Sequence, residues 1–189
     1  MSQTTKNLSL SGNFLALGLV LPFFIMQIPE IGRMLLPMHI PVLLCGLICG
    51  RKYGLAVGFI LPLMRGLLFG MPALVPMGIS MAFELAAYGF VIGLVYHTSR
   101  WKCILSLFRA LIIAMIAGRV VWGIAMAVMA RFILTDAIFT WPMFVGGALI
   151  NAIPGIIVQL VLIPAVMIAL NHTGAVPFSK KHKKEVSGE

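Results

Sequence analysis

Acidic side chains are nearly missing from this chain. Five Asp and Glu residues stand among 189, and only Glu30, Glu84 and Asp136 lie outside the C-terminal tail. Chemistry that needs two converging carboxylates therefore has little to build on. Charge of either sign is scarce: 10% of residues are charged, against roughly a quarter in a soluble globular chain. So few charges cannot cover a water-facing surface. Cysteine is sparse too. Cys45 and Cys49 sit four apart in an apolar run and share a helix face, without a nearby His or acid to complete a metal set. They read as packing residues rather than ligands. No G-x-x-x-x-G-K-[ST], H-E-x-x-H or G-x-S-x-G segment occurs, which removes the P-loop, zinc-protease and hydrolase readings. The expectation is a protein that is not an enzyme and holds neither metal nor cofactor.

What is abundant is apolar sequence. Hydrophobic residues make up 61% of the chain and the mean hydropathy is +1.07, which calls for lipid as the solvent. The formal net charge of +9 does not form one patch of the kind nucleic acid would bind. The basic residues fall in short clusters between apolar blocks and in the tail, at Lys180–Lys184, as in the cytoplasmic loops of membrane proteins. Taking about 20 apolar residues per span, six spans are expected: Leu8 to Ile28, Ile40 to Gly50 (short unless it starts near Leu35), Gly54 to Gly70, Met77 to Tyr96, Cys103 to Ala130, and Pro142 to about Leu170. The first apolar stretch is long and lacks a small-residue cleavage site, so it reads as a retained span and not a leader. The domain plan is a six-helix transmembrane unit over residues 1–175 and a basic tail over 176–189.

Six spans put both termini on one side. That side then carries Lys6, Arg51, Lys52, Arg100, Lys102 and the tail lysines, while the other carries only Arg33 and Arg131. The positive-inside rule places the basic side, and both termini, in the cytoplasm. Gly46 and Gly50, and Gly54 and Gly58, repeat at four-residue spacing, which lets helix backbones approach closely in lipid.

Ionisable groups inside spans are costly and need a reason. Arg65, Glu84 and Arg119 are such groups, and Asn151 adds a polar one. At 1.5 Å per residue Arg65 lies roughly 8 Å and Glu84 about 10 Å below the outer ends of their helices, with Asn151 at a similar depth. A cavity opening outward would explain polar groups gathered at that level. Helical phase puts Ser80, Glu84 and Tyr88 on one stripe, Arg119, Trp122 and Met126 on another, and Gly147, Asn151 and Pro154 on a third. Arginine forks onto carboxylates, and Trp and Tyr offer rings with a polar edge, so the set suits a small polar molecule bearing a ring or an acid group. Alternatively, Glu84 pairs with Arg65 or Arg119 only to neutralise a buried charge; even then one arginine is left over, which leans towards an anionic ligand. His39, ahead of Pro41 at the mouth of this cavity, joins the candidates, while Arg109 reads as a snorkelling anchor and Trp141 as an interfacial one.

The segment Leu36-Pro37-Met38-His39-Ile40-Pro41-Val42-Leu43-Leu44, continuing to the Gly54–Gly58 hairpin, resembles the substrate-binding S components of energy-coupling factor (ECF) transporters. So do Gly70-Met71-Pro72, Met81-Ala82-Phe83-Glu84-Leu85-Ala86 and Tyr88-Gly89. The resemblance implies an all-α, S-component-like bundle in the bacterial plasma membrane that captures a vitamin from outside, beneath the loop after the first helix. It further implies three partners, a transmembrane coupling subunit and two cytoplasmic ATPases. S components dock through small residues at four-residue spacing on the first helix; Gly12 and Ala16 keep that spacing, whereas the next step falls on Val20. The candidate ligand contacts are thus His39, Arg65, Glu84, Tyr88, Arg119, Trp122 and Asn151. The competing reading is a self-sufficient small carrier or channel driven by an ion gradient.

Overall fold

The computed structural model describes residues 2–25, 37–99, 101–132 and 153–172. They form six α-helices: α1 (Gln3–Ile25), α2 (His39–Cys49), α3 (Arg51–Phe69), α4 (Ile79–Thr98), α5 (Ile104–Phe132) and α6 (Ile153–His172). A π-helical turn, Leu74–Gly78, leads into α4, so this segment starts three residues before the expected Met77. No strand occurs among the described residues. α3, the π turn with α4, α5 and α6 are each long and apolar enough to cross a membrane.

The second helix keeps the short span expected for it, shifted by one residue. α2 has 11 residues, which at 1.5 Å each is roughly 16 Å and about half the hydrocarbon thickness of a bilayer. It needs no greater length because it does not face lipid: every residue but Ile48 is buried, with α1, α3, α4 and α6 packed around it. α4 is the other central element, lying against α2, α3 and α5.

Missing side chains draw α2, α3 and α4 together. A Cβ on Gly46 would stand 2.5 Å from the Gly89 carbonyl oxygen, and one on Gly54 would stand 2.6 Å from that same oxygen and 2.7 Å from the Gly46 Cα. Gly58 meets the Leu85 backbone, and Gly89 meets the Gly54 carbonyl. The expected close contact is thus made by Gly46, Gly54 and Gly58. Gly50 plays a different part. Its φ of 97° belongs to the left-handed side of backbone space that glycine adopts freely, and there it ends α2 and opens α3. Gly70, with φ 69°, closes α3 by donating its N–H to the Gly66 carbonyl at 3.0 Å.

The bundle is apolar outside. Along α5, Leu105, Phe108, Ile112, Ile116, Val120, Ile124 and Val128 are exposed at steps of three and four, one outward stripe. Inside lie His39, Arg65, Ser80, Glu84 and Gln159 among the buried polar groups. Cys45 and Cys49 are free thiols in the apolar core, and no group of three metal-binding side chains occurs among the described residues.

Candidate functional site

Glu84 is 2% exposed and, among the described residues, carries the only carboxylate side chain. A carboxylate in that setting needs donors, and two helices supply them while a third brings an imidazole close. Arg119 of α5 reaches Glu84 Oε1 with Nη1 at 2.9 Å. Tyr88, one turn along α4, donates its hydroxyl to the same oxygen at 3.3 Å. His39, the first residue of α2, places Nε2 at 3.8 Å from it and packs its ring edge-on to Tyr88, with centroids 5.2 Å apart. His39 and Tyr88 are each 1% exposed.

Local sequence explains the convergence. Glu84 and Tyr88 are four residues apart and so occupy one stripe of α4. Gly118 faces Tyr88 on the neighbouring helix; a Cβ there would lie 2.9 Å from the ring atoms Cε1 and Cζ. The absent side chain makes room for the phenol and brings Arg119 alongside. Trp122, one turn beyond Arg119, is buried as well.

The site is not saturated. His39 Nδ1 and Nε2 and Arg119 Nε and Nη2 are buried without a hydrogen-bond partner among the described residues. Gln159 of α6 is a further buried polar residue whose Nε2 lacks a hydrogen-bond partner among the described residues. Sequence reasoning passed over Gln159, although an amide inside the apolar run Ile153–His172 is the kind of signal that flags an intramembrane polar site.

Of the expected contacts, His39, Glu84, Tyr88 and Arg119 come together. Arg65 does not. It is buried, but its Nη1 donates to the Leu19 carbonyl at 3.2 Å and its guanidinium lies 5.5 Å from the centre of the Phe23 ring, both on α1. Leu61, one turn earlier on α3, packs at Gly18 of α1, so that stripe of α3 is turned to α1 and takes Arg65 with it. Ser80 bonds back to the Pro76 carbonyl at 2.9 Å. Asn151, Trp141 and the tail lie outside the described residues. Two clefts of about 440 and 510 Å³ sit at the other end of the bundle, lined among others by Arg51, Lys52 and His97 and by Ser99 and Arg109 respectively, and neither includes Glu84.

An apolar exterior, helices of membrane-spanning length and a buried ionic cluster together define a multi-pass membrane protein with a polar site inside. The family model of the ECF transporter substrate-specific component matches residues 6–167, and the chain belongs to that family. Neither a curated protein nor a solved structure matches it.

Proposed function

We propose that this chain is the subunit that captures a vitamin or related micronutrient outside the bacterial plasma membrane and delivers it for ATP-driven import. Its polar binding surface is built on His39, Glu84, Tyr88 and Arg119. The observation that carries this reading is the cluster itself: within an apolar bundle of this family, four polar side chains from three helices converge while buried donors of Arg119 find no acceptor among the described residues. Charged groups kept inside a membrane bundle are expensive and mark ligand or ion pathways.

Position supports the reading. His39 opens α2 at the end opposite the Arg51-Lys52 turn. If the basic end is cytoplasmic, the cluster lies towards the outside, where a substrate arrives. Both termini are then cytoplasmic and six segments cross or enter the bilayer. The chain performs no catalytic step; a coupling subunit and two ATPases supply the energy. On α1, Ser11 and Gly18 are buried, whereas Gly12 and Ala16 are exposed and a Cβ at Gly12 would meet nothing within 4 Å. The bundle leaves that face uncovered, which suits docking of the coupling subunit.

The test is reconstitution. The tagged chain should copurify with a coupling subunit and ATPases, and uptake should stop when the ATPases are inactivated. Substrate uptake by the isolated chain in proteoliposomes, driven by an ion gradient alone, would overturn the reading in favour of a self-sufficient carrier.

A further inference from the structure

The unused edge of Arg119 defines what it would bind. Its Nη1 is committed to Glu84, while Nε and Nη2 are buried and without an acceptor among the described residues. Those two nitrogens are neighbours on one edge of the guanidinium, and their N–H bonds point the same way. Two parallel donors match the two oxygens of a carboxylate or phosphate; one hydroxyl or carbonyl would satisfy one donor and leave the other bare. His39 adds a second point of contact. Both of its ring nitrogens are buried and without a hydrogen-bond partner among the described residues, and in either neutral tautomer one of them carries a proton to donate. Tyr88 cannot substitute, because its hydroxyl is already given to Glu84.

We infer that the substrate carries an acid group, taken bidentately by the Nε/Nη2 edge of Arg119 with His39 beside it, and that Glu84 positions the guanidinium by holding its other end. The inference rests on the substrate-capture reading above and narrows its ligand to small anionic solutes. Glu84 and Tyr88 have a defined part in it. The carboxylate holds Nη1, and the Tyr88 hydroxyl braces the same carboxylate oxygen, so the free edge is presented in one orientation instead of sampling several.

The experiment uses the full chain purified in detergent. Native mass spectrometry identifies any retained molecule, and matched pairs of vitamin-sized acids and their primary amides, such as nicotinate with nicotinamide and pantothenate with its amide, are titrated against it. A small acid should be retained, or one acid of the panel should bind at least about 10-fold tighter than its amide, the lower end of what a charge-assisted hydrogen bond confers. Arg119→Lys keeps a cation for Glu84 but lacks the fork, and should shrink that preference to about 2-fold. If that variant does not fold, the wild-type acid-to-amide ratio decides alone. A retained neutral molecule or phospholipid, equal binding of acid and amide, or no binding by any acid of the panel would overturn the inference. These outcomes separate from failure of the broader reading. A neutral solute imported with coupling subunit and ATPases removes the acid fork only, whereas absence of any coupling partner removes the substrate-capture role whatever the ligand's charge.

Discussion

Glu84 and Arg119 stand 35 positions apart in the chain and meet at 2.9 Å. Each would be an uncompensated buried charge without the other, so the pair makes a sharp prediction. Glu84→Ala leaves the guanidinium stranded and should cost about 3–5 kcal/mol, while replacing both partners with apolar residues, Glu84→Leu with Arg119→Met, should cost much less. Thermal unfolding in detergent reads both; equal losses in single and double variants would mean that the ion pair does not organise this core. Tyr88→Phe should cost about 1.5 kcal/mol, the low end for one hydrogen bond to a charged group, with the ring kept. Much of this was legible in the sequence, because an i,i+4 spacing fixes Glu84 and Tyr88 on one stripe and a buried acid demands a cation. Which arginine answers it was not. Arg65 and Arg119 are both basic residues in apolar helices, and only the packing of Leu61 at Gly18 shows that Arg65 is turned to α1.

At the level of helices, the meeting of α2, α3 and α4 depends on atoms that are absent. A Cβ at Gly89 would run into the Gly54 backbone, and backbone cannot swing aside as a flexible side chain can. Gly89→Ala should therefore push α3 and α4 apart and destabilise the bundle by about 1–3 kcal/mol, the usual range for overpacking. Gly12→Ala, where the added methyl meets nothing within 4 Å, should leave the detergent melting temperature unchanged. Loss of coupling-subunit copurification in that variant, with the fold intact, would mark Gly12 as a docking residue. If Gly89→Ala melts like the wild type, the seam is looser than its geometry says. The four-residue glycine spacing announced close approach at Gly46, Gly54 and Gly58, but it misassigned Gly50, because spacing carries no information about φ. The setting of α2 was equally hidden, although its short span was not. An apolar run reads the same whether it faces lipid or is wrapped by other helices, and only the burial of α2 tells the two apart.

Taken whole, the described residues gather cations at one end of the bundle, and this asymmetry bears on how the Glu84–Arg119 cluster is oriented. The Tyr53 hydroxyl meets the Thr4 carbonyl at 3.5 Å, which brings the start of α1, with Lys6, beside the Arg51-Lys52 turn. One cleft joins that turn to His97 and Thr98 at the end of α4, and the adjoining cleft joins Thr98 to Ser106 and Arg109 at the start of α5. Lys6, Arg51, Lys52 and Arg109 thus gather at one end, while α5 runs away from it to Arg131 in its last turn. Cations near span ends are retained on the cytoplasmic side, so the end bearing His39 should face outward. A Lys52→Cys variant tests this in intact cells and inverted vesicles with a membrane-impermeant maleimide. Lys52 is exposed, whereas Cys45 and Cys49 are buried, and Cys103, half-buried near the same end, is replaced by serine to keep the signal clean. Labelling should occur only in the inverted vesicles. Labelling from outside the cell would turn the bundle over, put the Glu84–Arg119 cluster on the cytoplasmic side, and leave a subunit that captures external substrate with its unused donors facing the wrong compartment.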